Sequence, residues 1–178
     1  GTSDQTASRM AAPGSRRPDE RRPSTVQEGY PVYYEEFDIG QRFPGTSITV
    51  TESHIVQFGH LSGDLHPFHM NEEFMRSTPF GHRIAHGMLT ASLAVPSVAV
   101  LVGKDAASHL GEQFTFRSPV LIGDTITTEC EVAAKEPKRK WGVVRFRLLT
   151  KNQRGELVME AESVMALKYR PGGGPGAG

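Results

Sequence analysis

The run from Met88 to Val102 constrains the fold most, because it is apolar nearly all round instead of along one stripe. Taken from His86, it reads as a helix, and a helix without a polar face is expected to be enclosed on every side. A chain of 178 residues suits one domain with a core of its own, and a small domain encloses a helix by wrapping a sheet around it. Pro96 has no amide hydrogen and should kink the helix, while Gly103 is its natural C-cap. Thr90, Ala91 and Ser92 are small enough to leave room for a ligand near its start. The run is too short, and too interrupted by Thr90, Ser92, Pro96 and Ser97, for a good membrane span.

The material for the sheet follows. His109 to Ser118, Asp124 to Lys135, Lys140 to Lys151 and Glu156 to Tyr169 read as strands, separated by turn residues such as Pro119, Gly123, Pro137 and Gly155. Val144, Phe146 and Leu148 alternate with Val143, Arg145, Arg147 and Leu149 in partial period two. An earlier strand is expected at Ser47 to Thr51, where β-branched residues collect. Strands in series give an antiparallel sheet, and the expected class is α+β, one antiparallel sheet wrapped around a long central helix. No internal repeat is present.

Between the first strand and the long helix, Thr51 or Ser53 can cap a helix with Ile55, Phe58, Gly59 and Leu61 on one stripe. It should stop at Ser62-Gly63. Asn71 to Arg76 reads as a second, short capped helix. Residues 1–29 are rich in Ser, Pro, Arg, Gln and Glu and are expected to be a disordered tail. Order is expected over 30–170, with a flexible, Gly/Pro-rich end at 171–178.

The chemistry concentrates in Ser62-Gly63-Asp64-Leu65-His66-Pro67-Phe68-His69. Asp64 and His69 stand five positions apart, which is about 140° on an ideal helix and opposite faces on a strand. Only a folded loop brings them together, and Gly63 and Pro67 supply the permissive and the fixed φ that such a loop needs. An ionised carboxylate and an imidazole around one water form a general acid–base pair. The plainer alternative is that Asp64 caps the turn and His69 is an ordinary loop histidine.

Ser62 to His69, followed by Ile84-Ala85-His86-Gly87-Met88-Leu89-Thr90-Ala91-Ser92-Leu93, resembles the MaoC-like hydratases, the (R)-specific enoyl-CoA hydratases of the hot-dog fold. Their motif reads S-G-D-x-N-P-x-H, with a later H-G-M run opening the long helix. Gly111 to Phe116, Pro119-Val120 and Gly123-Asp124 continue the likeness, which spans roughly residues 32 to 169. The resemblance implies a single hot dog that hydrates a trans-2-enoyl thioester, acyl-CoA or acyl-carrier protein, or runs the reverse dehydration. It makes Asp64 the carboxylate base, His69 its acid–base partner, and the Gly87 amide a donor to the thioester oxygen. Ser62, His66, His86, Met88 and Val95 complete the expected substrate-binding set. His66 stands where the motif has Asn, which bears on water orientation. Val95 stands where some members carry serine, which bears on pocket shape. Two alternatives stay open: thioester hydrolysis on the same fold, or a non-catalytic subunit pairing with an active partner.

Five histidines, His60, His66, His69, His82 and His86, crowd around Asp64, so a metal site competes with acid–base chemistry and ranks below it. The expectation is no metal and no cofactor. Lys and Arg total 20 and Asp and Glu total 20, so no net field draws nucleic acid or an anionic membrane. Cys130 falls in a strand-like run and reads as a buried, inert thiol. The N-terminus lacks the apolar core of a secretory signal, and a cytoplasmic location is expected. A single curled sheet leaves open edges, so a homodimer, or a higher oligomer of dimers, is expected.

Overall fold

The computed structural model describes residues 33–102 and 108–175. The expectations for the tail at 1–29 and for Gly103 lie outside the described residues. Of the C-terminal stretch, residues 171–175 form turns in which Gly173 N donates to Arg170 O at 2.8 Å.

Five strands, β1 (Arg42–Thr49), β2 (Ser108–Phe116), β3 (Thr125–Pro137), β4 (Gly142–Lys151) and β5 (Leu157–Leu167), form one antiparallel sheet in the order β1-β3-β4-β5-β2. The four strands after the long helix stand where alternation places them. β1 begins earlier than the β-branched run suggests, because Arg42 and Phe43 already pair with Glu131 and Cys130. Its register shifts between Pro44 and Ser47, and as an edge strand it tolerates an imino nitrogen that cannot donate.

The long helix is two helices, α4 (Gly87–Ala94) and α5 (Pro96–Val102), with a turn at Val95. Pro96 cannot donate to Ser92 O, so the kink read from the sequence is a full break. Leu89, Ala91, Ala94, Val98 and Leu101 join Cys130, Val132, Phe146, Leu148 and Met159 in the core. Each fully buried large apolar side chain contributes about 1.5–3 kcal/mol. The helix is not enclosed on every side: Met88, Ser92, Pro96 and Ala99 form an exposed stripe. One curled sheet covers one side of a helix, and its free sides need another surface.

Three further helices bridge β1 and α4: α1 (Glu52–Ser62), α2 (Pro67–Met70) and α3 (Glu72–Arg76). Thr51 Oγ1 accepts from His54 N and caps α1, and Asn71 caps α3 as read from the sequence. In α1, Ile55 and Gly59 are buried, but Leu61 is 86 % exposed and leaves the expected apolar stripe, because the helix rests on the core by one narrow face only. Cys130 is fully buried, and burial pushes its thiol up to about 12. No helix among the described residues is long and apolar enough to cross a membrane.

Candidate active site

Gly63 ends α1 in the left-handed region, at φ 80° and ψ 1°, with its amide donating to Gly59 O at 2.9 Å. A residue with a Cβ would be strained at that φ. The chain reverses there, and Ser62 locks the reversal: its hydroxyl donates to Phe58 O at 2.7 Å and accepts from Asp64 N at 3.2 Å. Asp64 is thus presented just past the helix, its side chain about half exposed. The His66 amide donates to Asp64 Oδ1 at 3.3 Å, which folds the carboxylate back over the turn.

His66 also does the work of an N-cap. Its Nδ1 accepts from Phe68 N at 3.2 Å and opens α2, where Pro67 occupies the first position without wasting an amide. An Asn side chain at this place would offer Oδ1 for the same bond. The single turn of α2 then swings His69 inward. Asp64 sits on the loop and His69 on this turn, so the five-residue offset is closed by a left-handed glycine and a proline-started helix.

The ring of His69 is oriented by a carbonyl. Its Nδ1 lies 2.8 Å from Ile84 O, and since a carbonyl only accepts, Nδ1 carries the hydrogen. Nε2 is therefore bare, and it faces Asp64 Oδ2 across 3.8 Å. That is too long for a direct hydrogen bond. Two acceptors with no hydrogen between them are satisfied together by a group carrying two hydrogens, which describes a water molecule. Burial lowers the imidazole's proton affinity more than the Ile84 bond and the Asp64 charge raise it, so its pKa falls below the ordinary histidine value.

The Ile84 carbonyl is itself fixed. Ile84 N donates to Phe68 O at 3.1 Å, and Ala85 N donates to Val120 O at 2.7 Å. Just before it, Arg83 ties the segment to α1 and α3, with Nη1 on Glu52 at 2.9 Å and its amide on Glu72 Oε2 at 3.1 Å.

His86 precedes α4 and is 2 % exposed. Its Nε2 donates to the main-chain oxygen of Asp64 at 2.9 Å, and its ring stacks on that of His69 with centroids 3.8 Å apart. Gly87 opens α4, so its amide is among those an α-helix leaves without an internal partner. A Cβ on Gly87 would stand 2.8 Å from the Phe116 ring. Two cavities flank this contact. One, of about 340 Å³, is lined by His69, Phe80, Ile84, Gly87, Thr90, Phe116 and Val158 among others. The other, of about 560 Å³, is lined by Phe58, Ser62, Asp64, His86, Gly87, Met88 and Phe116.

The structure therefore gathers Ser62, Asp64, His69, His86, Gly87 and Met88 around two adjoining cavities, with His66 in the cap beside them. Val95 ends α4 and lines neither cavity. His82 pairs with Glu72 Oε1 at 2.8 Å on the surface, and no helix joins it to His86. Asp64, His69 and His86 have ligand-type atoms within 4.8 Å of one another, which is metal-like spacing. The His86 Nε2 hydrogen is committed to the Asp64 carbonyl, so as a third ligand His86 would offer its unpartnered Nδ1 or give up that bond. Phe58, Phe80, Ile84 and Phe116 were not foreseen as site residues. Ile84 acts through its backbone, which no side-chain pattern reveals. Phe116 ends a strand just before Arg117-Ser118-Pro119, a break that hints at a rim.

Residues 36–153 match the family model described as MaoC like domain. The chain is 34% identical over 138 residues to an (R)-specific enoyl-CoA hydratase of Rhodospirillum rubrum, covering 78% of this chain and 93% of the relative. It is 33% identical over 138 residues to a 3-hydroxybutyryl-CoA dehydratase of Methylorubrum extorquens, covering 75% and 83%. Among solved structures, a monoamine oxidase regulatory protein from Archaeoglobus superposes with a TM-score of 0.74 at 38% identity, covering 79% and 97%. A double hot-dog protein of Mycobacterium tuberculosis shares the fold at 18% identity with a TM-score of 0.73, covering 85% of this chain and 48% of that one.

Proposed function

The chain belongs to the MaoC-like hydratase/dehydratase family and has its hot-dog fold, and on that premise we propose that it adds water reversibly to a trans-2-enoyl thioester, with Asp64 and His69 as its acid–base pair. The observation that carries this reading is the bare Nε2 of His69 facing Asp64 Oδ2 across 3.8 Å. A water donating to both bases has its oxygen lone pairs turned away from them, toward the cavities.

In the forward direction the water oxygen bonds to C3 of the enoyl group, and one of its protons passes to the Asp64 carboxylate. The dyad returns one proton to C2, so the double bond gains one water and no proton is left over. Negative charge develops on the thioester oxygen, and the unpaired Gly87 amide at the start of α4 is placed to meet it, with the helix dipole adding to the effect. The two cavities beside Gly87 offer largely apolar walls for an acyl group and its thioester arm. The carrier is coenzyme A or acyl-carrier protein, and the active form is a homodimer.

Incubating the purified protein with crotonyl-CoA tests the proposal. Loss of enoyl absorbance with no free thiol is expected. Release of free thiol would replace hydration by hydrolysis, and no change with enoyl thioesters of any length would overturn the reading.

A further inference from the structure

The roles of Asp64 and His69 leave one side chain of this region without a task. His86 is buried, its Nε2–H is held by Asp64 O at 2.9 Å, and its ring lies between Phe58, at 5.0 Å, and His69, at 3.8 Å with only 27° between planes. Its Nδ1 is buried with no hydrogen-bond partner. An orphaned acceptor in the interior costs stability. A phenyl ring would fill the same gap without that cost, so space-filling does not account for a histidine here. What a phenyl lacks is the N–H donor.

Resting on the function proposed above, we propose that His86 is a positioning residue for hydration: its Nε2–H anchors the main chain that carries the Asp64 carboxylate, and its ring face holds the imidazole of His69. One side chain thereby registers both halves of the acid–base pair. It also links them to Gly87, the next residue, whose amide is set by the same turn into α4. The Ile84 carbonyl holds the His69 ring, and the Gly63 reversal with Ser62 holds Asp64. His66 ties the two through its main chain, its amide on Asp64 Oδ1 at 3.3 Å and its carbonyl accepting from His69 N at 2.9 Å. His86 joins the Asp64 main chain to the ring of His69 by a side chain, so loss of its donor loosens Asp64 relative to that ring. A displacement of about 1 Å in such a pair can cost on the order of a hundredfold in rate.

Two variants of the full chain separate the donor from the ring: His86→Phe keeps a flat ring and loses the donor, while His86→Gln keeps an amide donor and loses the ring. In His86→Phe, kcat for crotonyl-CoA should fall roughly ten- to a hundredfold with little change in KM, as expected when positioning and not binding is lost. In His86→Gln part of that loss should be recovered. A second readout needs no substrate: NMR titration of the His69 ring. The titratable groups acting on it are His86, Asp64 and His66, and His86 is among those that lower its proton affinity. The His69 midpoint should therefore move to higher pH in both variants. Wild-type kcat together with a wild-type His69 titration in His86→Phe would overturn the proposal. If the wild type hydrates no enoyl thioester, the functional reading fails by itself, and the titration still decides whether His86 governs His69.

Discussion

His69 turns its unprotonated Nε2 toward Asp64 Oδ2 across 3.8 Å because Ile84 O holds the other ring nitrogen at 2.8 Å. The pair is thus two bases awaiting a water. Removing either base should leave the water unoriented, and general acid–base contributions are typically ~10²–10⁴ in rate. Asp64→Asn and His69→Ala should each lower turnover of the enoyl thioester by about two orders of magnitude or more. Circular dichroism should show the fold intact, since neither side chain is part of the core cluster. Near-normal turnover in either variant would dismiss the dyad.

The acid–base state of His69 gives a pH dependence with a definite sign. Nε2 must be free of a proton to accept from water, and burial holds the imidazole's pKa below its ordinary value of 6.5. The active, neutral form therefore persists to lower pH than in a free histidine. Activity should be lost as pH falls through a midpoint below 6.5. A rate–pH profile on the initial hydration rate checks this, and an acid limb above 6.5 would mean that another group controls it.

How much of this was legible beforehand follows the kind of interaction involved. The strands after residue 104 were readable because alternation such as Val144, Phe146 and Leu148 is set by burial against one layer. Asp64 and His69 were readable because their spacing fits no regular element. The single turn of α2 was not, since four residues carry no periodicity and only the His66 cap and Pro67 mark it. The exposed stripe of Met88, Ser92, Pro96 and Ala99 was missed because all-round apolarity reports burial without saying by what. Leu61 misled for the same reason.

Gly87 sits outside the left-handed region, so an alanine there suits the backbone, and the obstacle is the Phe116 ring at 2.8 Å. Gly87→Ala should push that ring into the cavities and shift the helix start, lowering turnover by roughly tenfold or more. Adding Phe116→Leu should restore part of the loss by making room. Steady-state kinetics of the three variants provide the check, and additive losses in the double variant would show that the two positions do not communicate.

β1 and β2 are open edges of the sheet, and β2 exposes Leu110 by 52 % and Phe116 by 46 %. With the bare stripe of α4 and α5 on the helix side, this surface suits a second copy, as edges and apolar faces are normally covered. Light scattering is expected to give twice the chain mass, or a multiple of that dimer. A stable monomer with full hydratase activity would sink the expectation.

His66 is the departure from the family motif, and its N-cap bond to Phe68 N offers a physical reason why the departure is tolerated. Asn caps a helix with Oδ1 as His66 does with Nδ1, so His66→Asn should fold normally and remain active. His66→Ala removes the acceptor and should cost about 1 kcal/mol of stability, read by thermal or urea unfolding. Turnover should fall as well, because the turn it caps carries His69. If His66→Ala unfolds and turns over as the wild type does, the Phe68 bond adds nothing and the cap does not position His69.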